Sequence, residues 1–270
     1  MKRGEDMKAE AFVIHLARAS GRRPQAEKLL GELGLPARIL DAVDAAVLSE
    51  RDTDAVYRRN LHRPAYPFTL RRTEIACFLS HRKAWQAIID QDLDAGLIVE
   101  DDVEPDAQSF APVLRLALET IQPRDLIRFP CTARREKGPV VAEAGEVSLI
   151  APGSPGLGMQ MQLVGREAAA LLLDMTRQFD RPVDTTVQMR WVNNVRILSA
   201  RPICIREISG ALGGTVVQNK SKTLSEIVNR EVRRPLYRAS VAVRNALAGP
   251  PISYLFCTAA IAGALTDGFL

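Results

Sequence analysis

Residues Gly96-Leu97-Ile98-Val99-Glu100-Asp101-Asp102 decide the fold. Gly96 breaks the preceding segment. The apolar run after it suits a strand buried on both faces, as in a parallel sheet. Three carboxylates close it, at the place where open α/β sheets bind ligands, beyond the carboxyl ends of their strands. Adjacent carboxylates repel, and they stay ionised together only beside a cation or strong donors. Oxygen ligands of this kind suit Mg²⁺ or Mn²⁺. A solvated acidic turn is the other reading.

Working outward, the helix before this strand carries Ile75, Phe78, Leu79, Trp85, Ile88 and Ile89 on one face. Thr73 caps it, and it ends near Asp92. His81 lies within it; a lone helical histidine reads as a packing or hydrogen-bonding residue. Further upstream, residues 11–16 form a short buried strand and residues 18–23 an arginine-rich loop. Pro24 starts a helix that Gly34 stops, and a second strand over 37–40 runs into Asp41 and Asp44. This is a β-α-β opening. Its arginine loop emerges on the same sheet edge as the carboxylates, so a diphosphate site is one reading and a solvated loop the other.

Residues 49–72 read as a loop with a short helix. Downstream, helices are expected over 110–121 and 166–177, and strands over 126–129, 147–150 and 157–164. Residues 130–144 read as a charged, turn-rich stretch. A short helix starts at Pro182-Val183-Asp184, and strands over 195–198 and 203–205 close the sheet.

The 270 residues are 47% hydrophobic and 25% charged, which excludes a disordered or collagen-like chain and leaves room for a core without disulfides. A net charge of +4 and an aromatic share of 5% argue against a nucleic-acid partner. The four cysteines have neither zinc-finger nor redox spacing, so reduced thiols in a cytosolic protein are expected. The first ten residues lack a secretory signal. The tail is basic from Arg230 to Arg244, then uncharged from Ala246 to Thr266 and broken by Pro250 and Pro251. That pattern suits peripheral binding to an anionic leaflet, or else a helix packed on the domain.

These blocks together resemble glycosyltransferase family 25, the bacterial lipopolysaccharide transferases related to the collagen galactosyltransferases. The resemblance runs through Ile14-His15-Leu16-Ala17-Arg18 with Arg22-Arg23, Asp41-Ala42-Val43-Asp44-Ala45, and Glu74 to His81 with Trp85. It continues through Leu97 to Val103, Pro182-Val183-Asp184 and Gly213-Gly214-Thr215-Val216-Val217-Gln218. His15 departs from the usual Asn, Ala17 from a polar residue and Ala76 from Gly.

The resemblance implies an α/β, GT-A-like single domain over 8–218, its mostly parallel central sheet flanked by helices; the composition of 219–270 reads as a helical C-terminal tail after it. It implies inverting transfer of a hexose, galactose foremost, from a UDP-sugar to a lipopolysaccharide or other surface glycan, with Mn²⁺ or Mg²⁺. The metal would lie on Asp102 and Glu100. Arg18, Arg22, Arg23, Asp44, Ser80, His81, Glu100 and Asp101 would bind the nucleotide sugar. Inversion needs a base, for which Asp184 is the candidate; it could equally cap its helix. A lipid-linked glycan acceptor and an anionic membrane surface touched by the tail would place the protein in the cytoplasm or on the inner face of the membrane. The alternatives are an inactive nucleotide- or glycan-binding relative, and a metal-dependent phosphohydrolase, which would usually need a second set of ligands.

Overall fold

The computed structural model describes residues 7–132, 136–212 and 224–248. The Gly213–Gln218 block, the boundary at 218/219, Cys257 and the apolar stretch beyond Pro251 lie outside them.

The strand β1 (Ala9–His15) shows how the core is divided. Alternate strand side chains point to opposite faces. Ala11 and Val13 therefore enter one apolar cluster, and Phe12 and Ile14 the other. The first cluster packs under α1 (Arg23–Glu32) and α4 (Phe110–Thr120). The second packs under α3 (Arg72–Asp90) and α5 (Arg166–Met175). Its fully buried Phe12, Phe78 and Trp85 each contribute about 1.5–3 kcal/mol of burial free energy.

Gly34, with φ of 65°, ends α1 as expected and returns the chain to β2 (Ala37–Asp41). β2 and β3 (Ala95–Glu100) flank β1 in parallel. A Cβ on Gly96 would lie 2.5 Å from Ile88 Cγ1 and 3.1 Å from the Phe12 ring, so the missing side chain lets α3 close on β3. α2 (Glu50–Val56) is the short helix of the 49–72 loop. α3 starts before the expected Thr73 cap, because Glu74 reaches back to accept the Arg71 N–H at 2.8 Å.

The remaining strands are β4 (Val103–Pro105), β5 (Asp125–Arg128), β6 (Val140–Ala144), β7 (Val147–Ile150), β8 (Met161–Gly165), β9 (Arg196–Arg201) and β10 (Ile205–Glu207). The main sheet has the order β2-β1-β3-β8-β5-β9-β7-β6. Six of its eight strands run one way, and β8 and β7 run against them.

Two expectations are corrected. Part of the 130–144 stretch is the edge strand β6, hairpinned to β7 through Gly145 at φ 61°. Its exposed residues hide the strand pattern. The strand expected over 203–205 does not close the main sheet. β9 ends at Arg201, and Pro202 lacks the N–H to extend its ladder. β10 instead pairs with β4, just past the acidic triplet.

The helices α6 (Val183–Val187) and α7 (Arg190–Asn193) precede β9. The last helix among the described residues, α8 (Leu224–Leu247), docks on the domain. Tyr237 Oη accepts a 2.7 Å bond from Arg181, and Val241 is buried. The Asn245 side chain accepts from Arg190 N–H and donates to Gln188 C=O. Among the described residues no helix is long and apolar enough to cross a membrane.

Candidate functional site

The parallel β1 and β3 end side by side, with Ile14 opposite Glu100. The residues that follow, His15 on one strand and Asp101-Asp102 on the other, therefore emerge together. Gln160 C=O accepts the Glu100 N–H at 2.8 Å and holds the strand end in place. The 3-10 turn Ser20–Arg22 lies over the same edge and aims Arg22 inward. These elements, the Arg18 loop, residues 42–45 and the face of α3 from Thr73 to His81 enclose a cleft. The sequence-based expectation that arginines and carboxylates share one rim holds here.

Asp101 is fully engaged. One oxygen faces His15 Nδ1 at 2.7 Å, and the other accepts from Arg22 Nη1 at 3.0 Å. Asp102 is less well served. Its Oδ2 accepts from the same Arg22 nitrogen at 3.3 Å, and its Oδ1 is buried with no hydrogen-bond partner. Burial first, then the charges of Glu100 and Asp101, pushes its carboxyl up to about 7 against the pull of Arg22. Glu207 on β10 adds to that push.

Glu100 is half-buried and meets His81 Nε2 at 3.1 Å. The other ring nitrogen of His81 lies 3.0 Å from the fully buried Gln162 amide. Both ring nitrogens are thus occupied, and the tautomer follows the orientation of that amide. The Cys77 thiol sits on the same helix face. Burial, followed by Glu100, Asp184 and Asp102, pushes it well above its usual range and keeps it protonated.

The other candidate residues divide. Ser80 Oγ donates to Ala76 C=O and accepts the Val43 N–H, so it ties the loop after β2 to α3 while lining the cleft. Asp44 accepts from the Ala46 N–H and from Arg18 Nε at 2.7 Å. Those two donors hold its carboxyl below the usual range. Arg18 keeps half its side chain exposed at the cleft mouth. Arg23 does not join the site. It begins α1 and pairs with Glu27 one turn on, because helical periodicity turns it away from the rim that Arg22 faces.

Asp184 lies in the first turn of α6, outside the cleft wall. Its carboxylate accepts from the Thr185 N–H, the Thr185 hydroxyl and, at 3.2 Å, the Gly158 N–H. It therefore anchors the loop before β8, although its charge reaches Cys77.

Sequence reasoning missed the parts played by His15, Cys77 and Gln162. The first two had a signal. His15 ends a strand that pairs beside the acidic one, and Cys77 stands one helical turn before His81. Gln162 had none, because its strand enters the sheet from far along the chain.

The family model for glycosyltransferase family 25 (LPS biosynthesis protein) matches residues 8–134. That span includes His15, Arg18, Arg22, Cys77, His81 and the acidic triplet. Procollagen galactosyltransferase 2 of Homo sapiens is 35% identical over 112 residues, which is 40% of this chain and 18% of that protein. Inactive glycosyltransferase 25 family member 3 of Mus musculus is 27% identical over 219 residues, 72% of this chain and 36% of that protein. The chain therefore spans well under half the length of these curated relatives. A solved structure, A197 from STIV, is 15% identical and covers 80% of this chain and 100% of its own at a TM-score of 0.36, too loose a likeness to carry an argument.

Proposed function

From the match of residues 8–134 to the model of glycosyltransferase family 25, we propose an inverting, metal-dependent hexosyltransferase. The donor is a UDP-sugar, galactose foremost, as the name of the human relative suggests. The acceptor is a lipopolysaccharide or another surface glycan.

One observation carries this reading. Asp102 brings an unpartnered, buried carboxylate oxygen to a rim where it and Asp101 meet one guanidinium and Glu100 meets His81. The donor set fits a hard divalent cation, with Asp102 and Glu100 as its protein ligands. Bound there, Mn²⁺ or Mg²⁺ would supply positive charge to the departing diphosphate. Arg18 at the mouth binds phosphate oxygens, and Arg22 keeps the acids in place. Asp184 takes the acceptor hydroxyl's proton onto the oxygen that now holds the Gly158 N–H. The hydroxyl oxygen bonds to the anomeric carbon as UDP leaves from the opposite face.

An anionic membrane surface fits as a partner for the tail. Leu236, Val243 and Leu247 are exposed on α8, along with Arg233 and Arg238. Such a surface would put the protein at the cytoplasmic face, beside a lipid-linked acceptor.

The test is UDP release with Mn²⁺ and a panel of UDP-sugars, with and without acceptor glycan. Release should require both metal and acceptor, and Asp102→Asn should lower it on the order of 10²-fold or more. Asp184→Asn should lose turnover while UDP still binds. Unchanged turnover in Asp102→Asn removes the metal assignment. The second reading, a binding protein without turnover, is favoured by the inactive mouse relative. It predicts that a UDP-sugar raises the melting temperature while no UDP is released.

A further inference from the structure

Cys77 and His81 stand four residues apart on α3, so their side chains rise from one helix face. Glu100 meets them from the end of β3. Their sulfur, nitrogen and oxygen ligand atoms all lie within 4.8 Å of one another, and all three residues line the cleft. Asp102 is not part of this grouping.

The chemistry of the trio differs from that of the acidic rim. Mg²⁺ and Mn²⁺ prefer oxygen, whereas a thiolate beside an imidazole selects zinc. Bond lengths of about 2.0–2.3 Å put tetrahedral zinc ligands roughly 3.3–3.8 Å apart. The His81 and Glu100 atoms are already 3.1 Å apart, so only modest side-chain rotation is needed. A metal-bound histidine needs a partner for its other nitrogen, and Gln162 lies 3.0 Å from His81 Nδ1. Turned end for end, its amide offers an oxygen to the Nδ1–H that metal binding at Nε2 requires.

We propose that Cys77, His81 and Glu100 form a Zn²⁺ site in the cleft wall, with the fourth position open to water. On binding, the Cys77 sulfur gives up its proton to solvent and forms the S–Zn bond. His81 loses its Nε2 proton and gains one at Nδ1, and Glu100 gives a carboxylate oxygen. No redox change occurs, and thiolate plus carboxylate balance the charge of the ion. Because Glu100 would also serve the hard cation proposed above, Zn²⁺ would compete with Mn²⁺. That consequence rests on the transferase reading; zinc binding does not.

Protein without a polyhistidine tag is titrated with Co²⁺ as a spectroscopic stand-in and then displaced by Zn²⁺. One Co²⁺ per chain with a thiolate charge-transfer band is expected. Cys77→Ser should abolish the band and weaken Zn²⁺ binding about tenfold or more, whereas Cys131→Ser should leave both intact. In the wild type, Zn²⁺ but not Mg²⁺ should slow Cys77 alkylation, mapped by peptide mass, about tenfold relative to Cys131. A band that survives Cys77→Ser, or alkylation at Cys77 indifferent to Zn²⁺, overturns the site. If Zn²⁺ binds by these measures yet no UDP is released with any donor, the metal site stands and the transferase reading fails.

Discussion

Arg22 is the guanidinium that touches both Asp101 and Asp102, and replacing it with Gln isolates its contribution. The arginine side chain is 10% exposed, and the two acids 9% and 8%. Breaking a buried pair from one side costs about 3–5 kcal/mol, because the remaining charge stays buried without compensation. His15 still holds Asp101, so most of the loss falls on Asp102. Its carboxyl already sits at about 7 in the folded protein, well above the usual carboxylate range. The folded state therefore binds this proton more tightly than the unfolded chain does. The associated stability is complete below the unfolded value and is lost as pH rises through about 7. At pH 8 Arg22→Gln should cost about 3–5 kcal/mol. At pH 5.5 Asp102 is already neutral, and the cost should fall to roughly half. Metal-free urea unfolding at both pH values, read by circular dichroism, gives the two numbers. Asp102→Asn in the Arg22→Gln background should recover most of the pH 8 loss. A cost below about 1 kcal/mol at pH 8, an equal cost at both pH values, or no coupling between the two sites would refute this account of the rim.

Arg181 is fully buried, bidentate to Asp180 at 2.7 and 3.0 Å, and Asp180→Asn should destabilise the protein by about 3–5 kcal/mol in urea unfolding. Burial alone would raise the Asp180 carboxyl, but His62 and Arg181 outweigh it and hold it far below its usual range. Its stabilising share is therefore complete above the unfolded carboxylate value and is lost as pH falls below that, which an acid titration of the wild type against Asp180→Asn should show. Gly96→Val should destabilise by about 1–3 kcal/mol or more in the same assay, because Ile88 and Phe12 already occupy the space. Replacing Leu236 and Leu247 together with Gln should reduce sedimentation with anionic vesicles and leave thermal stability unchanged, since both side chains face solvent. Equal sedimentation would remove the membrane surface as a partner.

The β-α-β opening and the strand into Glu100 were legible because local signals agree there. Pro24 and Gly34 bracket one helix, and a continuous apolar run ends on charge. The insertion of β8 between β3 and β5 was not legible. Its burial on both faces states that it is central, but no local signal states between which neighbours or in which direction. β6 was hidden by exposure, since an edge strand need not alternate. At the site, the shared rim of Arg22 and the acids followed from strand ends alone. Arg23 could not be separated from Arg22 without knowing where the 3-10 turn hands over to the helix. Asp184 could not be divided between base and loop anchor, because its partner Gly158 is 26 residues away.

The position of β8 bears on how the gene could be cut. Strand β5 falls inside the family-matched segment, yet its ladder partners β8 and β9 are encoded after it. A fragment ending at 134 would translate β5 with neither neighbour and would leave the open flank of β3 as an unpaired, sticky seam. The segment matched by the family model is thus not by itself a unit of folding. A chimaera that transplants it must carry the chain at least through Arg201.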